Sequence, residues 1–212
     1  MKKILKYNLQ MITIFGFCVL LYTILNWNTL QVTQRIVGIL LVFITLHVWE
    51  EMKFPGGFVD LVVNNMGLPV RDMTIPKFLL FLFIIWLGFI PFLFPSIHWM
   101  SAAPIILGTI EVFAHLVATR LNKNSKFYSP GMYSALVLML PITIYGYYYY
   151  ISNDILSSLE WLYAFLYLFI PLIMIQRFIV TKSGMKYSDF VKNATTVLFG
   201  KKKSPQKRSE GL

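Results

Sequence analysis

Apolar residues along this chain gather into six long runs, at roughly 9–26, 34–52, 77–95, 99–120, 131–151 and 158–178. Each is close to the ~20 residues that an α-helix needs to cross the hydrocarbon of a bilayer. Polar residues, glycine and proline collect between the runs. The pattern predicts an all-α, polytopic membrane protein built as a six-transmembrane-helix bundle. Pro76 and Pro130 suit first-turn positions, where a missing N–H costs nothing, and Ser129 is placed to cap the helix after it. Between the second and third runs, "FPGGFVDLVVNNMGLPVRDMTIP" is too polar and too broken to span again, and a short interfacial helix is expected near 58–64. After the last run, Tyr187, Phe190, Val191, Ala194, Val197 and Leu198 recur at helical spacing ahead of "KKKSPQKR". That spacing fits an amphipathic helix lying on an anionic leaflet. A basic tail that only fixes topology is an equal reading of it. The domain plan is therefore a transmembrane domain over 1–180 and a basic cytoplasmic tail over 181–212.

Composition removes the soluble alternatives. With 57% hydrophobic and 13% charged residues, the chain is too apolar for a soluble globular domain of its length. The N-terminal run has the basic flank of a signal peptide, but it is long and lacks a small-x-small cleavage site, so a retained first helix is expected. Cys18 is the sole cysteine; it allows no intrachain disulfide, suggests no cysteine metal site, and is assigned to packing.

Basic residues set the expected orientation, because Lys- and Arg-rich connections stay cytoplasmic. Lys2, Lys3, Lys6, Lys53, Arg71, Lys77, Arg120, Lys123, Lys126 and the tail all fall on one side of a six-span chain, and Arg35 falls on the other. Both termini are then cytoplasmic, in a multi-pass protein of the cell membrane. The net charge of +10 is explained by this topology. It carries no nucleic-acid motif, and the expected partners are membrane lipids with anionic headgroups on the cytoplasmic side. The Asn193-Ala-Thr triplet lies on the side where glycosylation does not occur.

Ionisable groups are costly in hydrocarbon, so their placement carries the chemistry. They concentrate in two runs: His47, Glu50 and Glu51 close the second, and Glu111 and His115 lie in the fourth. Glu50 and Glu51 stand about 60° to one side and about 40° to the other of His47 around the helix axis. Glu111 and His115 share a face, about 40° apart. Both imidazoles fall roughly 8–9 Å inside the first cytoplasmic base that follows them. Carboxylates clustered in low dielectric call for a compensating cation, and two imidazoles with carboxylates suit Zn, Fe or Mn. On this reading His47, Glu51, Glu111 and His115 are metal ligands, and Glu50 is the base of a metal-dependent hydrolase acting on a lipid or membrane-associated substrate. Two other classes stay open: a proton- or cation-coupled transporter or small-ligand binding protein, and a membrane scaffold whose basic tail engages a partner; a purely structural role, in which His and Glu only lock helices together, is the alternative to any of them. His98, beside Trp99, is assigned to the outer interface.

The run His47-Val-Trp-Glu50-Glu51, continued by Phe54-Pro55-Gly56-Gly57-Phe58, with the Glu111/His115 pair and Tyr128-Ser129-Pro130-Gly131, resembles the HXXEE-domain family of small membrane proteins. The resemblance covers about residues 35–150. That family is functionally uncharacterised, so the resemblance supports these residues as a site and implies no reaction. The "YSPGM" segment also places a helix start, with its free N–H groups, near Arg120, Lys123 and Lys126. An anion could dock there, although a plain helix-start device is the more common use of Ser-Pro-Gly.

Overall fold

The computed structural model describes residues 7–70, 72–122 and 127–199, and among them every regular element is helical. In chain order they are α1 (Asn8–Leu25), α2 (Val32–Met52), α3 (Phe58–Met66), α4 (Thr74–Leu93), α5 (His98–Ala118), α6 (Met132–Ser152), α7 (Ser158–Lys182) and α8 (Tyr187–Phe199). Six of these, all but α3 and α8, are long and apolar enough to cross a membrane. Several residues used to orient the chain, namely Lys2, Lys3, Lys6, Arg71, Lys123, Lys126 and the 201–208 run, lie outside the described residues, as does the side chain of Leu198.

α2 and α5 form the centre of the bundle. The most apolar stretch of each is 56% buried, against 17% for α7. Val37, Leu40, Leu41 and Ile44 of α2 and Ala102, Ala103 and Ile105 of α5 supply the core between them and their neighbours. Because lipid is as apolar as leucine, such helices are held by close packing and interhelical hydrogen bonds. Gly108 of α5 illustrates the first, since a Cβ there would run into the Thr143 side chain of α6. Trp49 illustrates the second, donating its indole N–H to Thr13 Oγ1 of α1 at 2.8 Å.

α4 and α6 each contain one widened, π-helical turn, at 85–89 and 135–139. In both, a proline follows two residues later, Pro91 and Pro141. The Ile90 N–H reaches Ile85 O, and the Leu140 N–H reaches Ala135 O. A proline donates no bond to the preceding turn and its ring crowds that turn's carbonyl; widening the turn accommodates both without breaking the helix.

Two expectations change, while the helix predicted after the last run is present as α8. α6 begins at Met132 with Gly131 in the capping position, so Pro130 lies outside the helix and Ser129 does not cap it. Cys18 is exposed and is not packed in the core. α8 has an inward face of its own: Phe190 is buried, and Asn193 Nδ2 donates to Met66 O at the end of α3.

Candidate metal centre

The C-terminal turns of α2 and α5 meet at one end of the bundle. Spacing of four residues puts His47 over Glu51 on one helix and Glu111 over His115 on the other. These two pairs face each other. His47 Nε2 and His115 Nε2 are 3.3 Å apart. Glu51 Oε1 lies 3.7 Å from His47 Nε2 and 3.5 Å from His115 Nε2, and Glu111 Oε2 lies 3.7 and 3.8 Å from the same two atoms. One donor atom from each residue falls within 4.8 Å of all the others. His47 and His115 are buried, while the side chain of Glu111 keeps a quarter of its surface and that of Glu51 an eighth.

These spacings discriminate between two arrangements. A His–Glu hydrogen bond would bring nitrogen and oxygen to about 2.7–3.2 Å. Four donors around one tetrahedral zinc, each at about 2.0–2.2 Å, would instead stand about 3.3–3.6 Å from one another. Five of the six donor pairs, at 3.3–3.8 Å, fall nearer the second, and Glu51 and Glu111 offer oxygens within 4.8 Å of each other. The four residues can therefore hold a metal ion.

The far nitrogen of each imidazole is held by a serine. His47 Nδ1 lies 3.0 Å from Ser134 Oγ, and His115 Nδ1 lies 3.2 Å from Ser129 Oγ. A hydroxyl has one proton to give. Ser129 donates its proton to His115 O at 3.0 Å. Ser134 donates its own to Glu50 Oε2 at 2.5 Å, with Gly131 O as the other acceptor in reach at 3.1 Å. Each serine oxygen must then accept from Nδ1–H, so that in the neutral form of either histidine it is Nε2 that turns a lone pair toward the cluster. Two lone pairs at 3.3 Å repel unless a cation or a shared proton lies between them. Fixing the tautomer through the outer nitrogen is how metal-binding histidines are commonly oriented.

Glu50 occupies a different place. One residue before Glu51, it points about 100° away around α2, into the first turn of α6. Its two oxygens accept from Tyr128 OH (2.8 Å), Tyr133 N–H (3.1 Å), Ser134 N–H (2.7 Å) and Ser134 Oγ. A carboxylate with four donors is not the free base expected beside the cluster. It supplies the anion that the start of α6 attracts, so the anion-docking reading of "YSPGM" is satisfied from within the chain. Burial, and then the Glu50 carboxylate, push the Tyr128 phenol above its ordinary value, so it stays a donor.

Two further residues wall the cluster. Gly131 has φ +97°, and a Cβ on it would lie 2.7 Å from His115 Nε2 and 2.9 Å from Glu51 Cγ. Phe58, first residue of α3, sets its ring 4.6 Å from that of His115. The turn that delivers it uses two positive-φ glycines, Gly56 and Gly57, and closes α2 by a bond from the Gly56 N–H to Glu50 O.

The structure thus brings together the four residues read as ligands and places Glu50 behind them. His98 opens α5 at the opposite end of that helix from His115. Ser134 has no part in the sequence reading, Gly131 and Phe58 enter it only through the motif runs that carry the family resemblance, and Ser129 enters it there and as a helix cap.

Comparison with known families gives one match: a family described as "Protein of unknown function with HXXEE motif" fits residues 38–146. That range holds His47, Glu50, Glu51, Glu111, His115, both serines and Gly131. No curated protein and no solved structure matches the chain.

Proposed function

Because the chain belongs to the HXXEE family, whose function is unknown, its activity has to be read from its own site, and we propose that it is a membrane metalloprotein whose His47, Glu51, Glu111 and His115 hold a divalent ion for hydrolysis. One observation carries the reading: the two Nε2 atoms, turned inward by the serines that hold each Nδ1, converge at 3.3 Å. Two nitrogens and two carboxylate oxygens suit Zn, Fe or Mn. Such an ion, when bound, would lower the pKa of a water toward neutrality.

The chain's own groups divide the remaining work. Ser129 and Ser134 orient the imidazoles, and Glu50 holds Ser134. Glu111, the more open carboxylate, accepts a proton at its second oxygen in place of Glu50. The proposed substrate is a lipid or another membrane-associated molecule that reaches the cluster from the side where Glu111 is exposed. The proposed location is the cell membrane, with this end of the bundle and both termini facing the cytoplasm.

Metal analysis of purified protein tests the centre. Wild type should carry about one ion per chain, and His47→Ala and His115→Ala should carry almost none. A metal-free wild type would sink the reading. It would leave the same 3.3 Å histidine pair as a proton-sharing device, the arrangement a proton-coupled transporter would use.

Orientation has its own test, in a Cys18→Ala background. Asn153, exposed after the end of α6, when changed to Cys should react with an impermeant thiol reagent added outside cells, whereas Ser125→Cys should react only after permeabilisation. The reverse labelling would put the site on the outer face.

A further inference from the structure

A second polar cavity, of about 290 Å³, lies where α1 and α4 begin and α2 ends. Its polar lining is Asn8, Gln10, Lys53, Thr74 and Lys77. Every one of these side chains can donate a hydrogen bond, two of them carry a full positive charge, and no carboxylate lines the space among the described residues. Neither lysine forms an ion pair among the described residues.

Asn8 is the most buried member of this lining: only 4% of its surface is exposed, and its amide nitrogen Nδ2 has no hydrogen-bond partner among the described residues. A buried N–H without an acceptor is costly, so a turn of this amide toward a ligand oxygen in the cavity it lines would be favourable. α1 and α4 both start at this wall, which adds the positive ends of two helix dipoles. One first-turn donor is already taken, because the Thr74 N–H bonds Asp72 Oδ1 at 2.8 Å. Thr74 itself remains part of the cavity's lining.

We propose that this cavity binds a phosphate group. Donors on five side chains exceed what the two oxygens of a carboxylate would use, and two ammonium groups match the charge of a phosphate mono- or diester. The occupant is the headgroup of an anionic phospholipid or free phosphate, which present the same oxygens. The site needs no metal: Lys53 follows the ligand Glu51 by two residues, but the cavity is built from different side chains.

The test uses the full chain, purified in a maltoside detergent and stripped of metal with EDTA, so that its outcome is independent of the metal reading. Inorganic phosphate is titrated calorimetrically, and retention of phosphatidylglycerol against diacylglycerol is measured by native mass spectrometry. Wild type should bind at least one of the two phosphate-bearing probes. Binding of phosphate alone identifies the free ion as the occupant, and selective retention of phosphatidylglycerol alone identifies the lipid headgroup. The Lys53→Gln/Lys77→Gln double variant and Asn8→Leu should each weaken that binding at least tenfold. Asn8→Leu should also melt no lower than wild type without phosphate, because it removes the orphaned amide; this separates lost binding from lost folding. Failure of wild type to bind either probe, or binding unchanged in both variants, would overturn the proposal.

Discussion

Glutamine in place of Glu51 or Glu111 should weaken metal binding by more than about 100-fold, beyond the ~10–100-fold typical of losing a partner outside the coordination sphere. The reason is charge. Each change removes one of the two anionic donors that face the same pair of Nε2 atoms at 3.5–3.8 Å, and leaves a neutral amide oxygen in a mostly buried setting. The double variant should be little worse than either single one, since a site already broken cannot be broken again. Competition against a chelator of known affinity measures all three. Losses that add up in full would mean that Glu51 and Glu111 serve separate environments.

Alanine at Gly131 should damage both the fold and the metal centre. Its φ of +97° is a conformation that a side chain makes unfavourable, at about 1–3 kcal/mol. The added Cβ would also press on His115 Nε2 and Glu51 Cγ. His115 has little room to yield, because Ser129 holds its other nitrogen and the Phe58 ring lies against it. Gly184→Ala is the matched control: its φ is +93°, yet nothing lies within 4 Å of the new Cβ. Both variants should lower the melting temperature, measured with chelator in every sample so that metal loss does not contribute. Only Gly131→Ala should also lose metal. If the two variants retain metal equally, Gly131 does not wall the site.

Much of the architecture is legible before folding because it is local. A run of about 20 apolar residues is long enough to span wherever it packs, and the six runs read from the chain correspond to the six long helices. The helix predicted near 58–64 is α3, at Phe58–Met66. The candidate ligand cluster was legible for a different physical reason: histidine and glutamate are so costly in hydrocarbon that four of them at i, i+4 spacing on two helices stand out from an apolar background.

What hydropathy could not reveal is which way each residue faces. In a soluble helix the polar face marks the outside, but here lipid and core are equally apolar, so α1 reads the same all round. Cys18 could not be told from its buried neighbour Val19 for that reason. The chain by itself determined six spans and two carboxylate–imidazole pairs, because length and burial cost belong to each helix alone. Only the tertiary structure decided that Glu50 turns to the start of α6, that Ser134 and Ser129 fix the histidine tautomers, and that Gly131 closes the wall. Those contacts join residues 14 to 87 positions apart, through the approach of α6 to α2 and α5, and no local pattern encodes that approach.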